Sequence, residues 1–204
     1  VSRNYAGLSR ERIIVEALHI ISGRGLGGLS MRRLGDALEV EAMAVYHHFP
    51  LGKDQLFNAI AAYVTSPAGT PPDDTAEEDG GRDASEAVDP GAGPWDARLT
   101  DWAHTYRARL LEHSGALSLL VHRAPRTPVQ DTAHALVRGA FEEAGLSGPD
   151  VEHAADALYS YCIGAVIHEV RHRDDEDAPD SAEREVRFGF GLRALLRGLA
   201  HPDA

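Results

Sequence analysis

Two strings in this 204-residue chain hold residue types whose spacing could do chemistry. The first is His168-Glu169-Val170-Arg171-His172, a literal H-E-x-x-H. On a helix, imidazoles at i and i+4 share a face and can hold one zinc ion, with the intervening glutamate as general base. Glu183 or Glu185 would supply a third ligand, and the reaction would be hydrolysis by metal-activated water. Against this, the string lies at the polar end of its helix, just before RDDED, and no strand is legible to align a substrate. Eleven histidines also make a chance match unsurprising. Zinc hydrolysis therefore stands as the alternative reading.

The second string is Ser30 to Lys53, SMRRLGDALEVEAMAVYHHFPLGK. Its apolar spacing reads as two short helices joined by a tight turn. Leu34, Ala37 and Leu38 face inward from the first helix, Val40 plugs the turn, and Val45 and Phe49 anchor the second at i, i+4. Arg32, Arg33, Ala42, Met43, Ala44, Tyr46, His47 and His48 are left for the outer surface. Small, basic and aromatic residues on the outside of such a pair describe a helix-turn-helix that reads DNA.

The elements that must position these strings are all helical. From the N-cap candidate Ser9, an amphipathic stripe of Ile13, Ile14, Ala17, Leu18 and Ile21 runs to Gly23 and Gly25. Ser30 can cap the next helix, and a helix from Gly52 buries Leu56, Ile60, Tyr63 and Val64. Residues 66–94 hold almost no large apolar side chain and are rich in Pro, Gly, Asp and Glu, which predicts a mobile acidic loop. An acidic decoy competing with DNA is the sharper reading of the same residues.

From Trp95 the pattern is helical to the end. Helices are predicted over 95–113, 115–122, 128–144, 150–173 and about 182–200, the last with Val186, Phe188, Phe190, Leu192, Leu195, Leu196 and Leu199 as its apolar residues. The expectation is an all-α protein of about nine helices. Its segments are a three-helix DNA-reading domain at 1–65, the loop at 66–94, and a larger helical domain at 95–204.

Composition excludes other classes. No apolar run approaches bilayer-spanning length, the first residues carry no signal pattern, and the single cysteine, Cys162, cannot form an intrachain disulfide. A cytoplasmic chain without cofactor is expected. A net charge of −12 argues against a nucleic-acid binder until it is divided along the chain. Residues 1–65 hold seven Arg/Lys against six Asp/Glu, 66–94 one against eight, and 95–204 twelve against eighteen. The acidity lies outside the reader.

The N-terminal features together, GLSMRRLGDALEV, then AVYHHF, then GK-D-Q-L, resemble the TetR family of one-component transcriptional repressors. Trp95, YRARLLEH, the APRTP block, YCIG and the closing FGFGLRALLRGL are similar to the subgroup that includes the tetracycline repressor. Two positions depart from the pattern. Glu39 stands where the turn usually has glycine, and Glu41 stands where the recognition helix usually has a Ser or Thr cap.

The resemblance implies a non-enzymatic, ligand-responsive homodimer on a palindromic operator, with no membrane partner. It implies phosphate contacts from Tyr46, His48 and Lys53, and backbone or base contacts from Ser30, Arg32, Ala42, Met43, Ala44 and His47. Of these, Arg32 best suits bidentate guanine recognition, worth about 1–3 kcal/mol of discrimination. It also implies that the helix bearing Trp102 and Tyr106 lines a cavity for a small-molecule effector. Tyr63 joins these two, and His122 and Arg126 supply polar contacts; plain core packing is the competing reading of the aromatic residues. The long helix and the last helix pair with their copies, with Ala154, Ala155, Ala157, Gly164 and Ala165 permitting close approach.

Overall fold

The structure is a computed structural model and describes residues 7–65, 93–122 and 128–200; the side chains of 121, 122 and 128–132 are outside the description. The acidic segment 66–94 therefore lies outside the described residues except for its last two, as do Arg126 and the side chain of His122. Among the described residues the fold is all-α, with nine α-helices and no strand. They are α1 (Arg10–Arg24), α2 (Met31–Ala37), α3 (Ala42–His48), α4 (Lys53–Thr65), α5 (Trp95–Glu112), α6 (Leu117–His122), α7 (Pro128–Glu143), α8 (Pro149–His172) and α9 (Ser181–Ala200). No helix among them is long and apolar enough to cross a membrane.

The chain forms two compact units, 1–79 with 112–130, and 80–111 with 131–204. The first unit thus takes in a segment that the composition-based division places with the C-terminal helices.

In the first unit α1 starts where Ser9 accepts from the Arg12 amide at 3.1 Å, and it ends where the Gly25 amide reaches the Ile21 carbonyl at 2.8 Å. Its predicted stripe is buried, with Ile20 added to it. Helix α4 is wrapped nearly all round, burying Leu56, Phe57, Ile60 and Val64. Residues 114–122 close over this pair: a 3-10 turn at Ser114–Ala116 meets α1 and α4, and Leu117 and Leu119 are buried. A Cβ on Gly115 would come within 3.2 Å of the Ser22 Cα, so the turn lies directly on the α1 backbone.

Inside α2 the expected phase is corrected. Leu34 is buried, but Ala37 is exposed and Leu38 half-buried, and Met31 and Gly35 take the inward places. The helix is too short to present a full stripe, and its closest approach to α3 comes at Gly35.

The turn after α2 is a Schellman closure. The Glu39 amide donates to the Asp36 carbonyl (3.3 Å) and the Val40 amide to the Gly35 carbonyl (2.9 Å), and Glu39 has φ +58°. A left-handed conformation costs a residue with a Cβ about 1–2 kcal/mol. Glycine recovers that cost but loses about 0.5–1 kcal/mol more chain entropy on folding. Glu39→Gly should therefore stabilise the protein by about 0.5–1 kcal/mol, from the difference of those two effects. Chemical denaturation checks it, and a destabilised variant would show that the Glu39 side chain makes contacts worth more than the strain.

In the second unit the spacing along α5 predicts a stripe of Leu99, Trp102, Tyr106, Leu110 and Leu111; the first four are buried, Leu111 is half-buried, and Ala103 and the charged Arg107 are buried as well. Helices α8 and α9 pack on each other. Two expectations for their outer faces change. Ala154 and Ala155 are buried within the protomer, so the small residues left for a second chain are the exposed Gly164 and the half-buried Ala157 and Ala165. Val186 and Phe190, two of the apolar residues named for the last helix, are 62% and 70% exposed. They lie one turn apart on the side of α9 opposite Phe188 and Leu192.

Candidate functional site

The first candidate is the outer face of α2, α3 and the start of α4. Ser30 caps α2 by accepting from the Arg33 amide at 3.1 Å. The Arg33 guanidinium turns back to donate to the Gly28 carbonyl, so it braces the preceding loop. Arg32 is exposed and has no partner among the described residues. On α3, Met43 is 70% exposed, Tyr46 and His47 are exposed, and Ala42 is half-buried. Ala44, expected outside, is 3% exposed and packs inward beside Val45, so it is removed from the candidates. Glu41 precedes α3 without a side-chain cap, as its type foretells.

Position on this face is set by close backbone packing. A Cβ on Gly35 would lie 3.0 Å from the Val40 carbonyl oxygen and 3.1 Å from the Ala42 nitrogen. Only hydrogen fits there, which fixes α3 against α2. Sequence reasoning missed Gly35; a glycine inside a seven-residue helix, where it costs stability against alanine, is the signal that points to it.

At the other end of α3, Arg10 of α1 donates from Nη1 to the His48 carbonyl at 2.8 Å and lies over the Phe49 ring at 4.5 Å. His48 is half-buried, and its pKa is lowered from the ordinary histidine value, first by burial and then by the nearby His47 and Arg10. A neutral imidazole at neutral pH follows. Lys53 opens α4 with its Nζ 5.0 Å from the Phe57 ring centre, immediately after Gly52, which lies against Tyr46. Arg32, Tyr46, His47, His48 and Lys53 thus share one small domain, joined by the brace Arg10.

The second candidate is in the other unit. The Trp102 and Tyr106 rings stack at 5.0 Å with planes 16° apart, and Tyr159 of α8 meets both edge-on at 4.9 and 5.6 Å. His134 stacks on Tyr159 at 5.6 Å. The Trp102 Nε1–H is buried and has no acceptor among the described residues. Burial raises the pKa values of Tyr106 and Tyr159 and pushes the Cys162 thiol up to about 12, so the cluster holds neutral donors. Tyr159 and His134 were not foreseen, because their helical stripes look like ordinary packing. Tyr63 belongs to the first unit, where its ring lies 5.9 Å from His113.

The H-E-x-x-H string folds as a structural element. The His168 and His172 rings are 4.6 Å apart, but Glu169 is held by Arg107 at 2.7 Å and Arg184 at 3.7 Å. Glu185 pairs with Arg107 and with His104 (2.6 Å), Glu183 with Arg187 (2.8 Å), and His172 Nδ1 with Asp175 (2.8 Å). Among the described residues no three ligand-type side chains converge on a metal position. Glu169 is occupied by Arg107 and Arg184 and is not turned to a metal position, so the zinc hydrolase reading has no support.

Comparison with known proteins matches both the N-terminal and the C-terminal part of the chain. The family model for bacterial regulatory proteins of the tetR family matches residues 13–60, and the tetracyclin repressor-like C-terminal domain matches 87–187. The class D tetracycline repressor of Escherichia coli is 25% identical over 212 residues, covering 95% of this chain and 89% of that one. Mycobacterium smegmatis BioQ is 25% identical with a TM-score of 0.68, over 95% of this chain and 98% of that one. A BioQ structure with its double-stranded DNA operator matches at 24% identity and TM-score 0.65, over 95% and 99%. Streptomyces coelicolor ActR in complex with actinorhodin shares the fold at TM-score 0.69 and 20% identity, over 95% and 97%. With the helix-turn-helix and the helical C-terminal domain both matched, in that order and over most of its length, the chain belongs to the TetR family of bacterial regulatory proteins.

Proposed function

We propose that the protein is a homodimeric, ligand-responsive transcriptional repressor acting in the cytoplasm, and not an enzyme. The observation that carries this reading is the face of α2 and α3. Its inner residues are fully buried, while Arg32, Met43, Tyr46 and His47 stand exposed beside Lys53. Such a face suits a major groove, with Tyr46, His48 and Lys53 on phosphates and Arg32, Met43 and His47 toward bases. Ser30 and Arg33 fix the geometry of α2, and Ala42 leaves room for close approach. Two copies would read half-sites about 34–36 Å apart or more on a palindromic operator.

Dimerisation is assigned to the outer faces of α8 and α9, where Val186, Phe190 and Gly164 are exposed. The effector is assigned to the Trp102–Tyr106–Tyr159 cluster. Stacked rings with an unsatisfied indole N–H suit a planar amphipathic molecule that brings a hydrogen-bond acceptor. Tetracycline repressors by name and ActR by its bound actinorhodin respond to or hold ligands of that kind. Ligand acts by binding one conformer of the dimer more tightly than the other. A direct route exists along the chain, since α5 carries both Trp102 and Tyr106 and runs straight into the 3-10 turn that covers α1 and α4.

Selection of bound sequences from random DNA, repeated with the variants, tests the reading. Arg32→Ala should relax preference at one base position per half-site. Lys53→Ala should weaken binding to all sequences and reduce its salt dependence. Unchanged affinity and selectivity in both variants would overturn it.

A further inference from the structure

A cleft of about 200 Å³ lies in the second unit between the C-terminal half of α8 and the first turns of α9. None of the residues of the Trp102 cluster lines it. Its floor is apolar and aromatic: Tyr161 and Phe188 stack at 5.3 Å, fixed by the Tyr161 hydroxyl donating to the Phe188 carbonyl at 2.6 Å. Its walls are cationic, from Arg107, Arg184 and Arg187 with His168 and His172. Glu169 is the one carboxylate on the lining, and it is already held by Arg107 and Arg184.

Each guanidinium of the cleft already meets a carboxylate, Arg187 through Glu183, but not every N–H is used. Arg107 is 7% exposed and spends its two terminal nitrogens on Glu169 and Glu185, which leaves its Nε–H buried without an acceptor. The Nε–H of Arg184 is likewise buried without a hydrogen bond, 3.7 Å from a Glu169 oxygen. His172 gives Nδ1 to Asp175, so Nε2 is its remaining polar atom. The side chains of Arg184 and Arg187 line the cleft and could take a second carboxylate through charge-assisted bonds.

We propose that this cleft is a second small-molecule site, for an aromatic carboxylate whose ring lies on Tyr161 and Phe188 and whose carboxylate meets Arg184, Arg187 and the histidines. The site is separate from the effector cluster, and its occupation is read without DNA. It therefore stands or falls independently of the repressor reading.

Calorimetric titration of the full-length protein with benzoate, benzamide and inorganic phosphate provides the test. Benzoate should bind at one site per protomer, at least tenfold tighter than either benzamide or phosphate. Arg184→Gln should weaken benzoate at least tenfold, and so should Arg187→Gln, whose exposed side chain can change without disturbing the fold. Trp102→Phe should leave benzoate affinity unchanged. Equal binding of benzamide or phosphate, no binding of benzoate, or insensitivity to both arginine variants would overturn the proposal. So would loss of benzoate binding on Trp102→Phe, which would place the carboxylate in the other cluster.

Discussion

Gly35→Leu is expected to abolish specific DNA binding, at least a hundredfold in affinity, while the second unit keeps its helical structure. The reason is the backbone approach at that residue. Even a methyl group would sit 3.0–3.3 Å from the Val40 carbonyl and from the nitrogen and Cα of Ala42, all main-chain atoms that cannot rotate away. Alanine therefore requires a shift of a few tenths of an ångström, and Gly35→Ala should lose affinity only in part. Leucine requires α2 and α3 to separate, an overpacking that costs roughly 1–3 kcal/mol or more and changes the pitch at which α3 meets DNA. Fluorescence anisotropy on the selected operator, with circular dichroism for folding, measures both. Wild-type affinity in Gly35→Leu would mean that this contact does not set the geometry of the reader.

Arg107→Ala is expected to destabilise the second unit strongly. Arg107 joins α5 to α8 through Glu169 and to α9 through Glu185, and its guanidinium lies 5.1 Å from the Phe188 ring centre. Removing one partner of a buried ion pair costs about 3–5 kcal/mol, because the other charge is left desolvated. Glu169 is 17% exposed and would bear most of that cost, keeping only the looser Arg184 pair at 3.7 Å, whereas Glu185 is 49% exposed and returns to water. A loss of about 3 kcal/mol, the low end of that range, is the expected figure. Urea denaturation at fixed protein concentration measures it. The Arg107→Ala/Glu169→Gln double variant should recover part of the loss, since the stranded charge is gone. A double variant as unstable as the sum of its parts would assign the effect to lost packing instead.

Helix positions and the buried stripes of α1 and α5 are legible in the sequence, because their apolar periodicity extends over several turns and agrees with the capping residues Ser9 and Ser30. The strained turn at Glu39 is legible too, since a non-glycine residue at that place in the family pattern has few backbone choices. Other features are set by distance in space. Nothing near Arg107 in the chain announces carboxylates 62 and 78 residues away. The same network explains why the H-E-x-x-H string misleads: its glutamate belongs to Arg107 and Arg184. In α2, seven residues are too few for periodicity to fix the phase, so Ala37 and Gly35 exchange the places expected of them. Ala44 follows the same logic, being small enough to fit either side of α3.

The return of residues 112–130 to the first unit has a consequence for how such a regulator can change over evolution. The Gly115 turn and the buried Leu117 and Leu119 are part of the wall around α1 and α4, although they follow directly on α5, the helix proposed to meet the effector. An insertion or deletion between Trp102 and Ser114 would change the spacing along the chain between the aromatic cluster and that wall. Substitutions in the aromatic cluster escape this penalty. New ligand preferences should therefore arise by exchange of side chains along α5, with its length held constant, and a grafted reader would have to bring its own copy of 112–122 with it.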